Sequence, residues 1–587
     1  MNIDTLLKNV QKPSWYAGNE LNSVVKPITE DLVRYAFCFP DLYDIGMSHL
    51  GIKILYHRLN AMKDVWCERC FMPNVDMEEL LRKNNMPLFA LESKTPLGEF
   101  DFIGFTLQYE LCYSNILSML DLAGIPFRAK DRKQGDPILM AGGPCCCNPE
   151  PIADFFDLII FGEGEEILPE LMTLYKECGR NRTLFLEKAR ALKGIYVPEL
   201  DHGREVERII IEDLDNVFYP DRFVVPFADI VHDRIMLEIM RGCIRGCRFC
   251  QAGMIYRPYR QKSPETLLEN AKQICKKTGY DEISLTSLST SDYVKLETLT
   301  DDLLNYCIPK HINLSVPSLR VDNFTSSLLE KISSVRKSGL TFACEAGTQR
   351  LRDVINKNVT DEDIENTCKI AFEGGASAVK LYFMIGLPTE TDEDIAGIAA
   401  TAEKIIDYHY KYAPTRKGNV KVTISLATFV PKPHTPFQWE RQISLEEIDR
   451  KQQYLKSLIK SRKITLNYHD GTTSCLEGVF ARGDRRLSYV IETAWKKGCK
   501  LDAWTEHFKF DLWCEAMSEN GIGFDTFSQR DYDLDEPLPW DFVNIGIPKA
   551  FHLRERDRAY KGLTTANCLE KCAGCGVNKL CKGDLCP

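Results

Sequence analysis

The stretch IMLEIMRGCIRGCRFC, Ile235 to Cys250, reads as a short apolar strand running into a glycine-punctuated loop that carries Cys243, Cys247 and Cys250. Three thiolates on one short loop match three corners of a cubane iron–sulfur cluster, which normally takes four. The fourth iron is then open to a small molecule. The bland alternative is a set of buried thiols, because cysteine packs as a small hydrophobe. Gly242, Gly246, Arg245 and Arg248 crowd the cysteines and argue for a loop, placed where an α/β fold holds its ligands. With 23 cysteines in 587 residues, a chance CxxxCxxC is roughly a one-in-thirty event.

Downstream, strand-like runs (DEISLT, INLSV, LTFACE, VKLYFMIG, VKVTISLA) alternate with amphipathic stretches such as PETLLENAKQICKK and DEDIENTCKIAFEGG, giving six βα units over 232–440. The cysteine triad, with aromatic Phe249 before its last member, resembles the signature of the radical SAM superfamily. The resemblance implies an open, partial (βα)6 barrel whose cluster, on Cys243, Cys247 and Cys250, binds S-adenosylmethionine at the C-terminal mouth. One electron would then give methionine and a 5′-deoxyadenosyl radical able to attack an unactivated carbon. It also implies S-adenosylmethionine contacts at strand ends: Ser287 and Ser289, Ser318 and Arg320, Glu345 and Gly347, and Gly386. Hydroxyl, carboxylate and guanidinium groups suit a ribose and a zwitterionic amino acid. For each, and for Arg350 and Arg352, an ordinary cap or ion pair is the competing reading.

Upstream, residues 1–29 form an extension, and residues 30–185 alternate the runs DLVRYAFCF, VWCERCFM, FDFIGFTL, PILMAGG and FFDLIIFG with helical segments. That alternation predicts a doubly wound Rossmann-like domain binding at the carboxyl ends of its strands. The region resembles the cobalamin-binding domain in front of many radical SAM cores. On that resemblance Tyr43, Gly46, Gly142, Gly143, Gly162, Glu163 and Gly164 line a corrin pocket. Tyr43 stands where the family's DxHxxG pattern has its cobalt-binding histidine, so a bound cobalamin would lack that ligand, and His49 reads as a packing or capping residue. A scaffold that has lost its cofactor is the alternative. Cys67, Cys70 and Cys145 to Cys147 read as structural.

A linker spans 186–231. After the last barrel strand, Lys432, His434 and Gln438 lie in a proline-rich loop and read equally as substrate contacts or loop packing. Residues 441–565 are mainly helical, and 566–587 form a cysteine-rich tail. There Cys568, Cys572 and Cys575 repeat the CxxxCxxC spacing and Cys581 could complete four ligands, for a second iron–sulfur cluster or zinc. Two such triads by chance are about a one-in-a-thousand event.

A net charge of −10 disfavours nonspecific nucleic-acid binding but leaves a specific RNA open. No apolar run approaches a membrane span, and the N-terminus lacks a signal-peptide pattern. A cytoplasmic enzyme with a reductant such as flavodoxin or ferredoxin is therefore expected, most simply a cobalamin-dependent methyltransferase, with rearrangement or oxidation of an unactivated carbon behind it. The competing functions are a methylthiotransferase-like modification enzyme, whose cysteine-rich N-terminal domain and RNA-binding barrel have no counterpart in this pattern, and an iron–sulfur electron carrier.

Overall fold

The structure is a computed structural model describing residues 3–317, 320, 340–414, 420–581 and 583–584. In the N-terminal domain, β1 (Val33–Phe39), β2 (Val65–Phe71), β3 (Phe102–Thr106), β4 (Ile138–Gly142) and β5 (Leu158–Ile160) pair in parallel in the order β2-β1-β3-β4-β5. At the edge, β6 (Ile195–Tyr196) runs antiparallel to β5. Helices cover both faces, so nearly every strand residue is buried and the runs are mostly apolar, with Arg34, Glu68 and Arg69 as buried exceptions. Strand order reverses between β1 and β3, and the carboxyl ends of those two strands are where this architecture places its ligand crevice.

The linker contributes β7 (Val206–Glu207). The core then adds β8 (Ile235–Glu238), β9 (Met240–Arg241), β10 (Arg260–Gln261), β11 (Glu282–Thr286), β12 (Asn313–Ser315), β13 (Leu340–Glu345), β14 (Ala378–Ile385), β15 (Lys421–Thr428) and β16 (Ile464–Tyr468). Among the described residues these form two parallel sheets, β12-β11-β8 and β13-β14-β15-β16, while β9 and β10 pair antiparallel. All six expected barrel strands are present. The seventh, β16, lies beyond residue 440.

In β14, Val379, Leu381, Phe383 and Ile385 pack on the helix Asp392–Tyr412, while the alternate residues Lys380, Tyr382 and Met384 are not fully buried. The inner face of this sheet is therefore less filled than in a closed barrel, whose interior is packed with side chains.

The C-terminal region is helical, with helices Leu445–Leu458, Gly471–Arg482, Leu487–Lys496, Phe510–Glu519 and Lys549–Tyr560, and β17 (Val543–Asn544) pairs in parallel with β7. The last four of these helices share one core with the N-terminal domain, while Leu445–Leu458 packs on the β13–β16 sheet. Tyr113 meets Phe480 with ring centroids 5.4 Å apart, Phe480 meets Trp513 at 5.1 Å, and Phe127 meets Trp495 at 4.9 Å.

Buried Asp502 joins the same seam, accepting hydrogen bonds from Ser114 Oγ and, at 2.9 Å, from Trp513 Nε1. Burial raises its carboxyl from the usual 3.8 to about 6. The folded state thus resists ionisation, and the resulting cost is absent near pH 4, grows as pH rises to 6, and is then constant at about 3 kcal/mol. Asp502→Asn, which keeps both hydrogen-bonding positions, is expected to be more stable than wild type at pH 7, with the advantage shrinking toward pH 4. Urea unfolding at the two pH values measures it, and an advantage independent of pH would refute the assignment.

Candidate active site

The cysteine loop follows β9 at the carboxyl end of the core strands. Local backbone fixes its sulfurs: Arg245 N donates to Cys243 Sγ at 3.4 Å and Gly253 N to Cys250 Sγ at 3.3 Å. Burial pushes the Cys243 thiol up to about 11 and the Cys250 thiol to about 12, helped by the neighbouring cysteines. Ligation must therefore displace protons from both.

Three arginines hold the loop from below. Arg245 forms a two-pronged buried pair with Asp292 (2.9 and 2.5 Å), and Asp292 is in turn held by Ser289 Oγ at 2.7 Å. Arg248, fully buried, donates to the carbonyls of Asp353, Val354 and Leu563 and pairs with Glu555 at 3.2 Å. Arg257 donates to the carbonyls of Gly253 and Arg245, each at 2.9 Å. Phe249 packs against the apolar cluster of Ala346, Leu387, Phe429 and Phe437 at the ends of β13, β14 and β15.

The other strand ends converge on this loop. Glu345, at a bulge ending β13, holds a positive φ of 64°, a strained conformation for a non-glycine residue that tends to mark functional positions. Its carboxylate pairs with the Lys357 ammonium at 3.1 Å. Burial alone would lower Lys357, but Glu345 and the Cys247 thiol more than reverse this and hold it above the usual lysine value. Arg320 donates to Lys357 O at 2.9 Å, and its backbone N to Ser291 Oγ at 3.1 Å. Lys357 escaped the sequence reading because it falls in the connection between the helices Gln349–Val354 and Asp361–Glu373, away from any strand end.

Other expected contacts have structural work. Ser287 Oγ lies 3.0 Å from Thr290 Oγ1, and Ser289 serves Asp292. A Cβ on Gly347 would stand 2.3 Å from Ile398 N, so this glycine admits the helix Asp392–Tyr412. Gly386 N donates to Glu390 at 2.7 Å. Arg350 pairs with Asp394 and Arg352 with Asp361. Ser318 lies outside the described residues.

At the N-terminal crevice the expected corrin-lining residues divide. The Tyr43 side chain points inward, its hydroxyl donating to Glu20 at 2.9 Å and its ring packed edge-on to Phe71. It presents no ligand to the crevice. His49 caps the helix Leu50–Asn60 by accepting from Ile52 N at 3.3 Å, and burial lowers it to about 4, so it is neutral. Gly46 lies against Phe71. Gly143 and Gly162 both have φ of 107°, and a Cβ would collide with the backbones of Leu107 and Ile209, at 2.6 and 2.1 Å.

A Cβ on Gly142 would meet nothing nearer than 3.9 Å, and one on Gly164 makes ordinary contact with Leu55 at 3.4 Å. Glu163 makes a bidentate pair with Arg260 at 2.9 Å and lies 3.6 Å from Arg241, beside Glu165. Burial would raise it, but the two guanidinium groups hold it below the carboxylate range. It is a strut between the domains, because a buried carboxylate needs compensating charge more than a neutral ligand could supply.

The proline-rich loop is likewise packed. Lys432 bridges Glu110 (2.6 Å) and Glu477 (2.8 Å), His434 Nε2 lies 3.0 Å from Cys147 O, and Gln438 accepts from Trp540 at 2.7 Å. Cys67, Cys70, Cys145 and Cys146 are buried in the N-terminal core. No helix among the described residues is long and apolar enough to cross a membrane.

Family models agree with this layout. One described as "Radical SAM proteins, N-terminal" matches residues 51–198, and the radical SAM superfamily model matches 237–402. An uncharacterized protein of Methanocaldococcus jannaschii is 30% identical over 496 residues, 83% of this chain and 97% of that one. A putative methylthiotransferase of the same organism is 26% identical, covering 53% of this chain and 66% of the relative. The radical SAM methyltransferase TsrM from Kitasatospora setae, solved with cobalamin and a [4Fe-4S] cluster, shares the fold with a TM-score of 0.51 at 14% identity, over 71% of this chain and 75% of that one. With a cysteine triad at the strand ends of a partial barrel and a Rossmann-like domain before it, the chain belongs to the radical SAM superfamily.

Proposed function

We propose that this chain reductively cleaves S-adenosylmethionine at a four-iron four-sulfur cluster on Cys243, Cys247 and Cys250, and uses the radical on an unactivated carbon, most simply to methylate it. The observation that carries the reading is the convergence of the triad with Glu345, Lys357 and Arg320 at one barrel rim. The cluster, when bound, supplies one electron to the sulfonium of S-adenosylmethionine. The chain's own residues do the rest. Arg245, Arg248 and Arg257 fix the loop by carbonyl and carboxylate bonds on three sides. The Glu345 carboxylate suits ribose hydroxyls, and Lys357 and Arg320 place positive charge beside Cys247, where a substrate carboxylate would gain most.

Cobalamin is the second cofactor in this reading, supported by the strand order of the N-terminal sheet and by the fold shared with TsrM. The crevice offers the open backbone at Gly142, and its His49 is engaged as a helix cap. When bound it supplies a methyl carrier. A one-electron donor such as flavodoxin or ferredoxin completes the system.

The test is protein made without oxygen and with cobalamin supplied, incubated with S-adenosylmethionine and dithionite. Expected are a cobalt stoichiometry near one and formation of 5′-deoxyadenosine. Cobalt near zero removes methyl transfer through cobalamin, and absence of 5′-deoxyadenosine overturns the reading as a whole.

A further inference from the structure

The tail is folded onto the cysteine loop just described. Cys568 N donates to Ile244 O at 3.1 Å, one residue from Cys243, and Thr565 is held by Asn356, which also bonds Gly246 O. Two CxxxCxxC segments, more than 300 residues apart in sequence, are thereby side by side.

Arg257 lies between them. Two of its nitrogens serve the carbonyls of Gly253 and Arg245, on the first loop. The third, Nη1, has no oxygen or nitrogen acceptor, in a side chain whose residue is only 4% exposed, and Cys575 is the acceptor that the guanidinium meets. The guanidinium is within electrostatic reach of Cys575 and Cys568 in the tail and of Cys243 in the first loop. A buried guanidinium donor costs free energy unless an acceptor is supplied, and the thiolate or sulfide sulfur of a cluster is a stronger acceptor than a neutral thiol.

In the tail, Gly574 N donates to Cys572 Sγ at 3.4 Å. Cys581 is buried within electrostatic reach of Arg260, Arg208, Glu212 and Glu163.

We propose that Cys568, Cys572 and Cys575 hold a second iron–sulfur cluster against the first, with the Arg257 guanidinium shared between them, and that it is the entry point for electrons. Cys572 is exposed, so the site reaches the surface. A low-potential one-electron protein carrier is oxidised there by one electron, and the same electron passes inward to the loop of Cys243, Cys247 and Cys250, with no net change at the tail site. This role rests on the function proposed above; the site itself does not.

The experiment compares full-length wild type with Cys572→Ala, Cys568→Ala/Cys575→Ala and Cys243→Ala/Cys247→Ala, all reconstituted without oxygen. Wild type is expected to carry about eight irons per chain and each variant about four. Tail variants should keep the reduced-cluster electron paramagnetic resonance signal that S-adenosylmethionine perturbs and lose a second signal. With flavodoxin as donor their 5′-deoxyadenosine formation should fall at least about tenfold, while dithionite supports it unchanged, since each tenfold is only 1.4 kcal/mol of barrier. Cys572 is exposed, so its alanine variant tests the idea without unfolding the tail.

Wild-type iron near four, zinc in the tail, or iron unchanged in Cys572→Ala would overturn the site. Equal rates with both donors in the tail variants would overturn the electron-entry role. If no protein cleaves S-adenosylmethionine yet iron still falls from about eight to four in the tail variants, the second site stands and the catalytic reading falls.

Discussion

Cys250→Ala, prepared without oxygen, is expected to form no 5′-deoxyadenosine from S-adenosylmethionine while its thermal unfolding stays close to wild type. Cys250 is partly buried in a loop whose shape comes from Arg245, Arg248 and Arg257, none of which bonds to its sulfur. Removing one sulfur therefore leaves the loop standing. A cubane on three cysteines has no spare ligand, and losing one strips about four irons or leaves a cluster unable to hold its open corner. The same outcome is expected for Cys243→Ala and Cys247→Ala. Anaerobic iron analysis and chromatographic detection of 5′-deoxyadenosine measure it. Wild-type cleavage in any of the three would refute the central assignment.

The second large effect is on stability. Arg69→Ala is expected to destabilise the N-terminal domain by about 3–5 kcal/mol, because it leaves two buried carboxylates uncompensated. Arg69, 1% exposed, binds Glu92 through Nε and Glu20 through Nη2, each at 2.7 Å, and its own backbone N donates to Glu92 at 2.7 Å. Glu20 in turn takes the Tyr43 hydroxyl at the start of the crevice loop.

Burial raises Glu92 despite its guanidinium partner, while Glu20 is held below its usual value, so the pair shares one positive charge unequally. The combination Arg69→Met with Glu20→Gln and Glu92→Gln should recover most of the loss, since it removes the charges together. Urea unfolding followed by tryptophan fluorescence separates the two proteins. A loss below about 1 kcal/mol for Arg69→Ala, the range of a surface pair, would show that the network is not buried in solution.

Arg69 also shows where reading the sequence stops. The run VWCERCF carries adjacent Glu68 and Arg69, yet all seven residues are buried. Their partners are distant in sequence (Arg34 and Ser93 for Glu68, Glu20 and Glu92 for Arg69), so no local pattern could announce them. Glu163 failed in the same way. Its GEGE turn matched a ligand-lining motif, but Arg241 and Arg260, brought in by β9 and β10, take the carboxylate.

The sequence by itself determined the strand–helix alternation of both α/β regions, the six barrel strands and the cysteine triad. Each depends on residues close in the chain, through apolar periodicity or ligand spacing on one loop. Only the tertiary structure decided what each polar strand-end residue serves. Ser289 is spent on Asp292, Gly347 on a helix backbone, and Glu345 stays with Lys357 beside the triad. It alone set the tail cysteines against the first loop, with Arg257 between. The physical reason is that a buried charge or an unmatched donor is satisfied by whatever the fold brings near, and that partner is a property of packing, not of spacing.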